Sequence, residues 1–309
     1  MCGIVAVAGR RDVSEILLEG LRRLEYRGYD SAGVAVLNDQ GDLQSCKQAG
    51  KVSILEDALA SAPVEGVTGI AHTRWATHGV PNTENAHPHI SGNRIALVHN
   101  GIIENHQSLR ESLIARGVTF TSDTDTEVIV HLINVEMQNE PSLLKAVQQV
   151  LPRLEGAYAL AVLDANNPGQ LVVARAGSPL VLGVGMGETY AGSDTLALRP
   201  VTDRFVYLEE GDIAELSAGS YTIYGRDGHI ANREVTRIEV SDDSGELGDY
   251  DHYMLKEIHE QPARLQDTVS IDWRSDHCFG TNTQALLSQV EAVQIIACGT
   301  SYHAGLIAR

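Results

Sequence analysis

From residue 156 to about residue 238 the chain is a succession of short β-prone runs separated by turns. GAYALAVLD (156–164), LVVARA (171–176), PLVLGVG (179–185), FVYLEEGDIAEL (205–216) and SYTIYG (220–225) follow one another, and Asp227-Gly228 then supplies a hairpin signal. The preceding hundred residues contain most of the helical patterns. Strands and helices are thus clustered and do not alternate strictly, which points to layered α+β architecture over a doubly wound parallel sheet.

The earlier part divides as follows. GIVAVA (3–8) reads as a buried strand. Asp12 followed by Val13, Ile16, Leu17, Leu21 and Leu24 reads as an amphipathic helix, with Asp12 as its N-cap and Glu15 three residues on. Strands are expected at 31–37, 67–72 and 94–99. A helix is expected at 106–116, closed by Gly117, and a capping box from Thr124 to Glu127 opens another through about 138. A third helix falls near 142–151. Residues 240–250 are acidic and small and read as a linker. Helices are expected at about 251–268 and 283–290. VQIIACGTSYHAG (293–305) then has the pattern of a buried strand, a turn and the start of a helix, as if a second α/β domain opened near 292 and continued in a longer protein.

Composition narrows the function classes. Lys and Arg number 23 against 41 Asp and Glu, a formal net charge of −18. Such a field repels phosphate backbones and argues against nucleic acid as a partner. No run approaches the roughly 18 apolar residues of a membrane span and no secretory signal is visible, so no membrane partner and a cytoplasmic location are expected. The cysteines, Cys2, Cys46, Cys278 and Cys298, form no CxxC pair, and no metal site is expected.

Cys2 stands apart because it follows Met1 and precedes Gly3. Removal of Met1 would leave a thiol beside a free α-amine, whose unperturbed pKa of roughly 7.7–8.0 leaves much of it neutral near physiological pH. That amine can serve as general base for its own side chain, and its protonated form can donate to a leaving ammonia. Three segments supply partners. HTRWATHG (72–79) contains Arg74, a fork able to hold a carboxylate, although a surface salt bridge would use the same residue. HNGIIEN (99–105) contains Asn100 and Gly101, a side-chain amide and an unobstructed backbone N–H that together can cradle an oxyanion; Asn-Gly is also a common turn. SDTDTE (122–127) places Asp125 in a first helical turn, where a carboxylate either complements the helix dipole or binds an ammonium.

Taken together, MCGI, LEYRGYDSAG (24–33), HTRWATHG, NAHPH (85–89), HNGIIEN and SDTDTE resemble the class II glutamine amidotransferases, a branch of the N-terminal-nucleophile hydrolases. GSPLVLGVG (177–185), GSD (192–194), LEEGDIAEL (208–216) and HYMLKEIHEQP (252–262) extend the likeness, and IIACGTSYHAG (295–305) resembles the opening of a sugar-phosphate isomerase domain. The resemblance implies a four-layer αββα sandwich over residues 2–239, interdomain helices and linker over 240–291, and the start of an isomerase domain over 292–309. It implies Cys2 as nucleophile, Asn100 and Gly101 as the oxyanion hole, Arg74 for the glutamine α-carboxylate and Asp125 for its α-ammonium. Thr77 and His78 would lie nearby, Trp75 in a gating loop and Arg27 beside the nucleophile. Thr300 and Ser301 would begin a sugar-phosphate site. L-glutamine is the implied substrate and no cofactor is implied. Fructose 6-phosphate as acceptor and homodimer formation are expected only of a longer chain, so this one is expected to be a glutaminase. A sibling of the same class and a non-catalytic glutamine sensor are the competing readings.

Overall fold

The computed structural model describes residues 2–38, 40–238, 248–269, 287–297 and 299–309. The chain divides into two compact units, Met1–Gly245 and Glu246–Arg309.

The first unit holds two antiparallel sheets. The larger runs β14 (Val235–Arg237), β11 (Arg204–Tyr207), β9 (Val181–Val184), β10 (Thr189–Gly192), β1 (Gly3–Ala8), β4 (Thr68–Arg74), β2 (Ser31–Leu37) and β3 (Leu43–Ala49). The smaller runs β13 (Ser220–Tyr224), β12 (Ile213–Ser217), β8 (Gln170–Ala176), β7 (Gly156–Asp164), β6 (Ile95–Ile103) and β5 (His89–Ser91).

Side-chain alternation along the strands builds the layers, because successive residues point to opposite faces. Ile4, Ala6 and Ala8 of β1, with Ile70 of β4, share one core with Ala96 and Val98 of β6 and with Ala159, Ala161 and Leu163 of β7. This is the contact between the sheets, and eight of its twenty buried residues are alanine, so the sheets meet through small side chains. The intervening residues face outward. Val5 and Val7 pack beneath α1 (Ser14–Leu24) and α2 (Val52–Ser61) through Leu17, Leu21 and Leu55. Ile95, Leu97, Leu160 and Val162 pack beneath α4 (Thr126–Glu136) and α5 (Leu143–Val150). Helix α3 (His106–Ala115) adds Leu113 to that layer and ends before Gly117, whose φ of 85° suits the left-handed residue after a helix. The result is the αββα sandwich.

Some local expectations change. The N-cap position of α1 is Val13, not Asp12; the Asp12 carboxylate accepts instead from the Gly66 N–H and the Ser14 hydroxyl, both at 2.9 Å, and ties the strand–helix connection to the start of β4. The Thr124–Glu127 capping box forms by half. The Thr124 hydroxyl accepts from the Glu127 N–H at 3.4 Å, but the Glu127 carboxylate reaches past Thr124 to the N–H groups of Thr121 and Ser122 at 2.8 and 2.7 Å. Strand β3 and helix α2 are further elements, found where no pattern was assigned.

In the second unit α6 (Tyr253–Val269) covers the helix expected there, and α7 (Gly299–Ala308) carries the expected helix start. The expected buried strand between them is not formed. Residues 291–297 have no regular structure, and Val293 and Ile296 are 78% and 90% exposed. A buried strand needs ladder partners for its backbone groups, and none is present among the described residues of that unit. Most of the acidic linker and the first half of the 283–290 helix lie outside the described residues, as do Met1, Cys278 and Cys298.

Candidate active site

The strand register assembles the site. In the β1–β4 ladder Gly3 pairs with Thr73, so the next pair outward brings Cys2 level with Arg74. Strand β6 of the other sheet lies across this end and presents Asn100 and Gly101. The nucleophile candidate thus comes from one sheet and the oxyanion candidates from the other.

The Cys2 thiol lies in a backbone notch at Trp75, whose N–H points to Sγ at 3.2 Å. Burial pushes the thiol above its ordinary pKa, and the Trp75 N–H pulls part of that rise back by stabilising the thiolate. Asn100 Nδ2 donates to the Cys2 carbonyl oxygen at 3.1 Å. The thiol, the amide and Gly101 open on a cleft of about 530 Å³ also lined by Arg27, Trp75 and Thr77. Arg27 is anchored beside Cys2, donating to Asp194 and, at 3.0 Å, to the Tyr26 hydroxyl.

On the other side of Cys2 is a smaller cavity lined by Arg74, Thr77, His78, His99, Gly101, Asp125 and Thr126. It measures about 10 Å³, room for about one water molecule. Arg74 is buried and its fork is engaged by the 78–80 turn: it donates to the His78 carbonyl, to that of Gly79 at 3.2 Å and to that of Val80 at 3.4 Å. One Asp125 oxygen accepts from the Ile103 N–H at 2.8 Å; the other stands 3.9 Å from His78 Nδ1. All the first-unit residues singled out from sequence therefore gather around Cys2. Thr300 and Ser301 stand at the start of α7 in the other unit.

Residues outside the original selection complete the support. Asp30 accepts from the Ala76 N–H and lies 3.5 Å from the Arg74 guanidinium, so one carboxylate steadies both the turn after β4 and the arginine. Its place in RGYDS was the available signal. Four histidines, His72, His87, His89 and His99, are buried at the site, His87 and His99 lining the smaller cavity; the His72 and His87 rings stack at 4.2 Å. Burial keeps all four neutral, with His72 and His89 pushed down to about 3. Among the described residues no group of three or more His, Cys, Asp or Glu is arranged to hold a metal ion.

Gly101 is irreplaceable on steric grounds. Its φ is 142°, and a Cβ there would lie 1.9 Å from the Ala157 carbonyl oxygen on β7. That neighbour is backbone, so β6 and β7 would have to separate. Gly101→Ala is expected to cost on the order of 4 kcal/mol of stability. Any folded fraction should lose catalysis by about a hundredfold or more through displacement of the candidate oxyanion donors. Denaturant unfolding and a rate assay on the same sample check both, and near-wild-type values would contradict the strand geometry.

Comparison with known proteins agrees with this architecture. Residues 72–200 match the glutamine amidotransferase domain family. The fold overlaps the glutamine phosphoribosylpyrophosphate amidotransferase from B. subtilis, complexed with ADP and GMP, at 25% identity and TM-score 0.60, covering 78% of this chain and 50% of that one. A structure titled as the allosteric regulatory enzyme of purine biosynthesis gives 26% identity and TM-score 0.61, over 78% of this chain and 50% of that one. Over residues 72–200 the chain is thus similar to the glutamine amidotransferase domain family, and its fold is similar to that of a solved amidotransferase. More particularly, the chain aligns end to end with the glutamine–fructose-6-phosphate aminotransferases (isomerizing) of Pseudomonas putida KT2440 and Vibrio vulnificus CMCP6. It is 54% identical to each over 313 aligned residues, spanning 100% of this chain and 51% of each relative. The chain therefore spans about half the length of the curated relatives it matches.

Proposed function

We propose that this chain hydrolyses L-glutamine to glutamate and ammonia, with Cys2 as nucleophile. The observation that carries the reading is the convergence of Cys2, Asn100 and Gly101 from opposite sheets on one cleft, with Arg74 and Asp125 behind them. Once Met1 is removed, the α-amine of Cys2 takes the thiol proton as sulfur attacks the side-chain amide carbon. The oxyanion is held by Asn100 Nδ2, which leaves its bond to the Cys2 carbonyl, and by the Gly101 N–H. The carbon–nitrogen bond breaks as the protonated amine gives its proton to the departing nitrogen, which leaves as ammonia, and water then hydrolyses the thioester to glutamate and restores the thiol.

Arg74 and Asp125 supply opposite charges for the carboxylate and ammonium of a free amino acid. The cavity between them admits no glutamine as it stands, so binding requires the 78–80 carbonyls to release Arg74. Thr77 and His78 line the same recess, Trp75 covers it and Arg27 borders the outer cleft. In the longer protein the ammonia would convert fructose 6-phosphate to glucosamine 6-phosphate, with Thr300 and Ser301 opening the sugar-phosphate site. The amidotransferase domain would close near 239, the isomerase domain would begin near 292, and the full protein would be a cytoplasmic homodimer. Among the described residues no helix is long and apolar enough to cross a membrane.

The test is direct. The purified chain is expected to release glutamate and ammonia in equal amounts from glutamine and to form no glucosamine 6-phosphate when fructose 6-phosphate is added. Intact mass after incubation with a diazoketone analogue of glutamine should show one adduct, mapped to Cys2, on a chain lacking Met1. Absence of ammonia release would refute the reading, and sugar amination by this chain would refute the division of labour.

A further inference from the structure

The orientation of a side-chain amide is a choice between two nearly isosteric atoms, and an oxyanion donor is useful only when nitrogen points at the site. In this fold the choice is made by a buried histidine. His72 lies on β4, two residues beyond Ile70 of the inter-sheet core, so its ring enters the gap between the sheets toward β6. There Nε2 is 2.9 Å from the His99 carbonyl oxygen and 2.9 Å from Asn100 Oδ1.

The assignment follows from the partners. The His99 carbonyl can only accept, so Nε2 carries the proton. The Asn100 atom facing that proton must be an acceptor, hence Oδ1. Nδ2 then faces the other way, where it meets the Cys2 carbonyl oxygen, a second group that can only accept. Two backbone carbonyls, at the ends of a chain of two side chains, thus fix both orientations within it. His72 Nδ1 is buried without a partner, the lesser cost for a ring nitrogen bearing no proton. Stacking on His87 at 4.2 Å holds the ring plane, and burial from every side keeps the imidazole uncharged.

We infer that His72 is the positioning residue of the oxyanion site, donating from Nε2 to Asn100 Oδ1 so that Asn100 Nδ2 is presented to the reacting carbonyl. The inference rests on the glutaminase reading and assigns His72 no contact with substrate.

The test uses the 309-residue chain with His72→Phe, which keeps a stacking ring and removes the donor, His72→Gln, which returns an N–H near the ε position, and Asn100→Ala. His72→Phe is expected to lower kcat for glutamine hydrolysis by about tenfold to a hundredfold, short of the ~10²–10³ for losing an oxyanion donor outright. KM should stay within about twofold, because only the developing charge is affected. Alkylation of Cys2 by iodoacetamide, which needs no oxyanion hole, should keep its rate and pH profile. His72→Gln should recover most of kcat, and His72→Phe should add no further loss in an Asn100→Ala background.

A His72→Phe kcat within about twofold of wild type overturns the inference, as does a loss that multiplies fully with that of Asn100→Ala. If His72→Phe does not fold, His72→Gln against His72→Asn decides, since the shorter amide cannot reach the ε position. Equal rates for those two overturn the inference, and a selective loss in His72→Asn supports it. A wild-type chain that hydrolyses no glutamine overturns the glutaminase reading itself and this inference with it. Hydrolysis by the wild type with His72→Phe unaffected overturns this inference alone.

Discussion

Cys2→Ala is expected to abolish ammonia release from glutamine while leaving the fold intact. Removing a nucleophile that acts as a unit with its base costs about four orders of magnitude or more, against about 10²–10³ for a single oxyanion donor. The fold should survive because the thiol is half-buried at the open end of β1 and its polar contacts are confined to the Trp75 backbone at 3.2 and 3.5 Å. Glutamine should still bind, since the opposite charges of Arg74 and Asp125 remain. Equilibrium binding of glutamine to Cys2→Ala, measured calorimetrically beside the rate assay, separates recognition from chemistry. Residual turnover above about 1% of wild type would remove Cys2 from its assigned role.

The second large effect is acid destabilisation that sets in well above the carboxylate range. His72, His87, His89 and His99 are buried neutral, with pKa values held below the ordinary 6.5. Desolvation is the leading cause for each. Lys47 and Arg74 add to it at His89, whereas Glu127 there and Asp125 at His99 oppose it. A depressed folded-state pKa means that the unfolded chain takes up protons the folded chain refuses. The stability these groups contribute is complete above about pH 6.5 and is lost as pH falls from there toward 3. Each fully refused proton costs about 1.4 kcal/mol per pH unit, so by pH 5 His72 and His89, held near 3, forfeit about 2 kcal/mol apiece, and His87 and His99 act in the same direction. A loss of that size is a large fraction of the stability of an ordinary domain, about 5–15 kcal/mol. Burial also holds the Glu127 carboxylate against solvent, but its five hydrogen-bonding partners at His131, Thr121 and Ser122 outweigh that and depress its pKa; its contribution has the same sign and begins only below about pH 4.5. Unfolding midpoints from pH 7.5 to 5 should therefore drop steeply with an onset near 6.5. A midpoint unchanged down to pH 5 would show that the cluster does not govern acid stability.

Much of the fold was legible because its cores obey strand alternation. Ile4, Ala6 and Ala8 against Val5 and Val7 already state that β1 is covered on both faces. Cys2 and the Asn100-Gly101 pair were legible as candidates through their chemistry, and although Cys2 and Asn100 are 98 positions apart they line one cleft. Strand β3 was not, because Leu43–Ala49 is a largely polar edge strand whose partner is β2 alone and whose residues face solvent on much of their surface. Helix α2 buries Val52, Leu55 and Leu59, a helical spacing with no N-cap side chain to announce it. The exposed 291–297 segment fails in the opposite direction: its apolar run reads as a strand, but sequence alone does not supply the neighbouring ladder that such a strand needs. Asp30 had only its place in RGYDS as a signal, and His72 had none of its own, because both act by holding other groups. A buried histidine at a strand end carries no local sign of whose amide it will orient.

The position of β1 also dictates when this machinery can exist during synthesis. A ribosome delivers Gly3–Ala8 early, yet the strand's two neighbours in the sheet are Thr68–Arg74 and Thr189–Gly192. The strand behind the nascent thiol must wait for nearly two hundred residues to emerge before its second edge is closed. The sheet around Cys2 therefore cannot be completed from its leading end, and a chain halted before Thr189 would leave one edge of β1 without its partner strand.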